Sequence, residues 1–449
     1  MRSELRRLWR SAGIDGTSEL SSQAFRGGAL LAARYGIGIF ISLANMLVLT
    51  WWIGPHAYGI FVTAIGIVSF LAAVGRVGTD TYLVRSPVVP DETMYSTAIF
   101  VILISSAILA GLAAAMTPLL IRWYGSREFV APYLVLLMTV PVSALAGIPT
   151  AKLERGLEFT RVAGIELAGQ FTGLIASVTL ARLGSGVWAP VAGQSAWQVF
   201  VLISTFYASS ERWNFRFRID EARKMLRYGI GLTVSLRAWQ ARTLVNPMLV
   251  GRFAGAEAVA YVALALRIAE SLGALRLAAG RIAIAVLARL QQKTDQFRSA
   301  LEQALHVQVL TLGPLLCAFA LSGSLVMKHV IGVRWMPSLA VYPFVAAGVL
   351  VNSVYNLQAS GLFVRGKQWI VTSAFAVHVA LLAGITWLLV PKLGIAGYGW
   401  AELGACGGYW IIHSGTEKSF SPSYRRLAPL TAGFIAILFL VPTVYGAFQ

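Results

Sequence analysis

Apolar residues fill this chain in long runs, and polar residues collect between them. Thirteen runs stand out, at roughly 29–53, 57–75, 96–121, 130–150, 162–181, 187–208, 228–250, 256–275, 303–327, 338–358, 369–390, 395–414 and 427–446. A hydrocarbon layer ~30 Å thick is crossed by about 20 residues of helix, so each run is long enough to span it. The alternation of a half-buried strand is missing from these stretches, which speaks against a membrane β-barrel. The pattern predicts an all-α polytopic membrane protein with about 13 spans. The two longest connections, 209–227 and 276–302, are too short for a soluble catalytic domain. In the second, Ile282, Ile284, Leu287 and Leu290 alternate with Arg281, Arg289, Lys293 and Arg298, which predicts an amphipathic helix on the membrane surface. The stretch Met1 to Gly28 sets Leu5, Leu8 and Trp9 among four arginines and reads as a short surface helix or a basic tail, not a signal peptide.

Composition narrows the class. Of 449 residues, 57% are apolar and only 12% charged, and so few charges cannot cover a soluble protein of 48.3 kDa. The net charge of +18 would suggest nucleic acid in a soluble chain. Here its distribution gives another cause. On the side that holds the N-terminus the connections carry 26 Lys and Arg, and on the other side 7. By the positive-inside rule the N-terminus is expected in the cytoplasm and, with thirteen spans, the C-terminus outside. The charge is then a topology signal, and no nucleic-acid partner is expected.

The chain also repeats itself. The first run ends in Trp52-Ile53-Gly54-Pro55-His56-Ala57-Tyr58-Gly59, and the seventh ends in Val250-Gly251-Arg252-Phe253-Ala254-Gly255 and reaches Tyr261. A helix rich in Gly and Ala follows each turn. The turns lie about 200 residues apart with six spans between them, so the two halves share one orientation in the membrane. The expected organisation is a basic N-terminus (1–28), a six-helix lobe (29–208), a linker (209–227), a second six-helix lobe (228–414) and one extra span (415–449), with a cavity between the lobes.

Enzyme signatures are missing: there is no G-x-S-x-G, H-E-x-x-H or P-loop. The five histidines have no metal-ligand spacing, and Cys317 and Cys406 lie in apolar runs as packing residues. No catalytic residue, metal or cofactor is expected. The informative residues are charges inside the spans, each costing at least ~2.5–3.5 kcal/mol to insert. They are Arg34, Arg237, Arg242 and Arg267, with Glu166, Glu270 and Glu402. Counting along the helices places Arg34 in the cytoplasmic third, Arg237 and Arg267 near the midplane and Arg242 in the outer half. Arg267 and Glu270 stand three apart and either neutralise each other or face a cavity. Polar pairs one turn apart (Glu166/Gln170, Gln194/Gln198, Arg242/Asn246, Asn352/Asn356) mark a stripe on several helices, as cavity lining or as glue between helices.

The Gly54-Pro55-His56-Ala57-Tyr58-Gly59 turn, the second span ending Ala73-Val74-Gly75-Arg76 and the mid-chain Val250-Gly251-Arg252-Phe253-Ala254-Gly255 resemble those of the Wzx-like oligosaccharide flippases. These belong to the multidrug/oligosaccharidyl-lipid/polysaccharide exporter superfamily. The resemblance implies a monomeric flippase in the bacterial inner membrane that moves polyprenyl-pyrophosphate-linked oligosaccharide by alternating access, for exopolysaccharide, capsule or O-antigen. It also implies membrane lipid and the pathway's polymerase and export proteins as partners. Arg forks onto phosphate oxygens, so Arg34, Arg237, Arg242 and Arg267 are the expected substrate ligands, and Glu166 and Glu270 the expected ion-coupling acids. Relatives often carry Asp before the second turn, where this chain has Asn246. Two alternatives stay open: a drug/cation antiporter of the same architecture and a membrane-embedded polysaccharide polymerase.

Overall fold

A computed structural model describes residues 19–86, 88–210, 216–274, 287, 290 and 294–446, with side chains at 36–86, 88–210, 216–229, 239–274, 287, 290 and 295–440. Residues 1–18 of the basic N-terminal stretch and most of the amphipathic segment at 276–302 lie outside the described residues. Among the described residues there is no strand, and all thirteen apolar runs are helical. Eight helical stretches are long and apolar enough to cross a membrane. Among those well beyond the ~20 of one crossing are Gly36–Gly75 and Ala241–Leu272, with 40 and 32 residues.

The excess length is explained by two glycines. Helix α1 (Glu19–Gly75) is interrupted at Gly54, with φ 72° and ψ 172°. In the second half, Gly255 has φ 83° and ψ 177°. Both conformations are open to glycine and closed to residues with a Cβ. The chain doubles back at Gly54. Before it, Gly38 faces Gln170 and Leu49 packs with Ala181 and Ala189. After it, Ile60, Ala64 and Val68 pack with Phe129, Tyr133 and Val140. The sequence repeat is thus a backbone repeat, with one kink geometry used 201 residues apart (255 − 54).

The remaining elements follow in order. The first half continues with α2 (Thr79–Arg85), α3 (Glu92–Ala115), α4 (Thr117–Tyr124), α5 (Val130–Leu137), α6 (Thr139–Leu145), α7 (Gly147–Arg155), α8 (Phe159–Arg182) and α9 (Trp188–Ala208). Helix α10 (Ile219–Gln240) opens the second half, and a 3-10 turn (Ala241–Leu244) and a π turn (Asn246–Val250) lead into α11 (Gly251–Leu272). Then come α12 (Thr294–Val326), α13 (Ser338–Val364), α14 (Gln368–Leu393), α15 (Ile395–Ala405), α16 (Trp410–Phe420) and α17 (Leu427–Gly446). The largest buried apolar cluster gathers residues 245–438 around α13, joined by Met46. Three smaller clusters hold the first half together. Arg155 ties down one end of that half: its guanidinium donates to the carbonyls of Leu83 and Ser86, both at 2.9 Å, and of Val88 at 3.1 Å. These acceptors include a carbonyl that the short helix α2 leaves unpaired at its end.

The two halves meet at the end of the bundle that carries Gly54 and Gly255. Trp335 is 1% exposed there, standing edge-on between Tyr58 and Tyr261 at 5.6 and 6.1 Å, and its indole donates to the Thr50 carbonyl at 3.0 Å. Trp123 donates to the Met248 carbonyl at 2.8 Å and Tyr124 to the Pro247 carbonyl at 3.1 Å. Trp51 bonds the Val330 carbonyl across the same seam. Gly59 lies so close that a Cβ there would strike the backbone carbonyl of Ala256. A Gly59→Ala change should therefore cost about 1–3 kcal/mol through overpacking, read as a lower unfolding temperature in detergent. Gly111→Ala, with nothing within 4 Å of its Cβ, should be neutral or stabilising.

Candidate functional site

Pro247 supplies no N–H, so the helical ladder cannot run unbroken through this part of the chain. The chain answers with the 3-10 and π turns, and it is on the 3-10 turn that Arg242 stands. Such irregular turns re-aim side chains and recur at functional sites. Arg242 Nη2 donates to Glu402 Oε1 of α15 at 2.7 Å, and the Tyr398 hydroxyl donates to the same oxygen at 2.8 Å. Tyr398 and Glu402 are four apart, on one helix face. Arg242 Nη1 lies 3.6 Å from Glu270 Oε1 of α11, beyond an ordinary charge-assisted bond. The Glu402 side chain is 2% exposed, that of Arg242 16% and that of Glu270 42%, so the cluster opens toward Glu270.

A layer of rings backs this ion cluster. The Arg242 guanidinium lies 5.5 Å from the Trp239 ring, and Trp239 touches Phe375 and His378. His378 stacks on Tyr409 at 4.8 Å, and Asn352 donates to the Tyr409 hydroxyl at 2.6 Å. Asn352 therefore serves as a link between helices. His378 is buried against these rings. Asn246 donates to the Val259 carbonyl at 3.2 Å, and its own side-chain oxygen is buried without a partner.

Arg267 is placed differently. It lies on α11 one turn before Glu270, is exposed, and bonds the Ser42 hydroxyl of α1. It thus stands where a helix of the second half meets a helix of the first. Glu270 leans away from it, toward Arg242. Of the other expected site residues, Arg34 lies in α1 and Arg237 in α10, and their side chains are outside the described residues. Glu166 is half-buried on α8. The structure brings together Arg242, Glu270 and Glu402, and it engages Arg242 with partners of its own. Among the described groups, the two arginines Arg242 and Arg267 stand with the two acids Glu270 and Glu402. A guanidinium this buried carries its counter-charge with it. The role of Tyr398 was missed in the sequence. Its spacing to Glu402 was the available signal.

A family profile described as "Polysaccharide biosynthesis protein" matches residues 48–340, more than half of the chain. The chain belongs to that family. Within the curated relatives, the succinoglycan biosynthesis transport protein ExoT of Rhizobium meliloti (strain 1021) is 28% identical over 216 residues. That match covers 47% of this chain and 43% of ExoT, less than half of the relative's length. Among solved structures, the lipid II flippase MurJ in an inward closed conformation aligns with TM-score 0.72 at 15% identity, over 95% of this chain and 98% of MurJ. A multidrug resistance MATE family transporter of the MOP superfamily, in an inward-facing conformation, aligns with TM-score 0.68 at 16% identity, over 86% and 94%. The family member described here is thus a multi-pass membrane protein with the fold shared by MurJ and MATE transporters. The named relatives are transport proteins.

Removing one member of the buried pair should be far worse than removing both. Arg242→Ala alone should cost about 3–5 kcal/mol, because the Glu402 charge stays buried without its counter-charge, and Glu402→Ala should cost less, because Glu270 still faces Arg242. The double change Arg242→Met with Glu402→Leu should recover most of that loss. Thermal unfolding of the four proteins in one detergent measures the coupling directly.

Proposed function

We propose that this family member is a flippase that moves oligosaccharide linked to a polyprenyl pyrophosphate across the bacterial inner membrane. A charged sugar head group cannot cross hydrocarbon unaided. The observation that supports the reading best is Arg267, an exposed guanidinium held at the contact between the two halves of the bundle. Its side chain is of the type that pairs phosphate oxygens in a fork. The family membership and the relation to a succinoglycan transport protein support the same substrate class. The two halves, 29–208 and 228–414, rock about the substrate site while the lipid tail stays in the bilayer. With the N-terminus in the cytoplasm, the end sealed by Trp335 faces outward, so the state described is closed on the outer side.

In this scheme Arg34 makes the first contact with a head group arriving from the cytoplasmic leaflet, and Arg237 and Arg267 hold the pyrophosphate at the midplane. Glu166 is the proposed proton-coupling acid. Arg267→Ala should abolish polysaccharide export in cells while the protein still inserts, and Arg267→Lys should restore only part, because a point charge does not fork. Normal export by Arg267→Ala would overturn the assignment. In proteoliposomes with an imposed pH gradient, Glu166→Gln should respond less than the wild type in flipping lipid-linked oligosaccharide. A second reading, a drug/cation antiporter, draws on the two carboxylates around Arg242 and on the fold shared with MATE transporters. Drug resistance conferred by expression, with no effect on polysaccharide, would favour that reading.

A further inference from the structure

Arg242 and Arg267 differ in how firmly their charge is matched. Arg242 has Glu402 at 2.7 Å in a nearly closed setting, which already gives it one full counter-charge. Glu270 is a second carboxylate on the same guanidinium, held at 3.6 Å and 42% exposed on its outer side. Counted together, these three groups carry a net charge of −1. Glu270 is thus a surplus acid, loosely held and partly solvated. One turn earlier on the same helix, Arg267 is exposed and its hydrogen bond goes to a neutral hydroxyl, Ser42. Residues three apart on a helix lie within reach of each other, so Glu270 has a second guanidinium available without any movement of the backbone.

We propose that Glu270 is an internal competitor for the substrate's diphosphate, exchanging between Arg242 and Arg267. The inference rests on the flippase reading above and adds a device for release. With Glu270 on Arg242, as described here, Arg267 presents its charge to an anion. With Glu270 turned to Arg267, the anion loses its partner and is repelled by the carboxylate, while Glu402 and Tyr398 keep Arg242 matched. The guanidinium at position 242 acts as a parking place for the acid. No bond is made or broken, and no external ion is consumed by the exchange itself.

The test uses the full-length protein in lipid nanodiscs, with farnesyl diphosphate and inorganic pyrophosphate as separate probes. Glu270→Gln should tighten binding of both by about threefold to tenfold, the range of a partly exposed ion pair. It should also slow polysaccharide export in cells, since release loses its competitor. The paired change Arg242→Gln with Glu402→Gln leaves no lone buried charge and removes the parking place. It should weaken diphosphate binding by a similar factor, and adding Glu270→Gln to it should restore the tight binding. The tightening should shrink at high salt, because Glu270 is partly exposed. Unchanged or weaker binding by Glu270→Gln, with wild type that binds and exports, overturns the exchange and leaves the flippase reading standing. Tightening for farnesyl diphosphate alone also overturns it, since the effect would then come from the lipid. Absence of diphosphate binding in every variant, together with no role in export, overturns both.

Discussion

A charge within a membrane-spanning bundle has to be matched inside the protein, and much of the second half is arranged around that need. Arg242 lies too deep to rely on water, so α15 and α11 each bring a carboxylate to it from distant parts of the chain. Those partners fix how three elements pack: the irregular turns after α10, the last turn of α15 and the far end of α11. The ring layer of Trp239, His378, Tyr409 and Tyr355 then fills the space behind the ion cluster. Replacing such a pair with apolar residues is often harmless to stability in general. Its presence here is therefore weak evidence for stability.

The other constraint is close approach. Where helices of the two halves cross, their backbones come together at Gly59, and Gly66 keeps the ring of Pro247 within 2.9 Å of where its Cβ would stand. Within the first half, Gly173 and the carbonyl of Gly193 do the same between α8 and α9, at 2.8 Å. Small residues at such crossings let helices pack without the hydrophobic drive available in water. They also leave few side chains to interlock, so the aromatic residues at the sealed end carry much of the contact between halves.

The helical character of the apolar runs was legible in the sequence, because such a run has one stable fate in a bilayer, but not the breaks within them, such as those at 137–147 and 241–250. The repeat was legible as well, through Gly54 and Gly255, since a positive φ at a sharp turn favours glycine in both halves. Partner choice was not. Arg267 and Glu270 stand one turn apart and invite pairing, yet Glu270 leans toward Arg242, which precedes it by 28 residues (270 − 242). Local spacing cannot weigh a neighbour on the same helix against one delivered by another helix. Likewise, the link from Asn352 to Tyr409 needs the packing of α13 against the turn after α15, and no periodicity encodes it.

The ion pair between Arg242 and Glu402 has a consequence for how the protein is made. Its partners are 160 residues apart in the chain. At synthesis rates of about 5–20 residues per second, Arg242 leaves the ribosome roughly 8–32 s before Glu402. During that interval the arginine must enter the membrane without its main counter-charge, against an insertion cost of about 2.5–3.5 kcal/mol. Glu270 is made only 28 residues after Arg242 and is the nearer acid to arrive. The carboxylate with the looser hold in the finished protein is thus the first of the two partners to be available to the seventh apolar run, before α15 is synthesised.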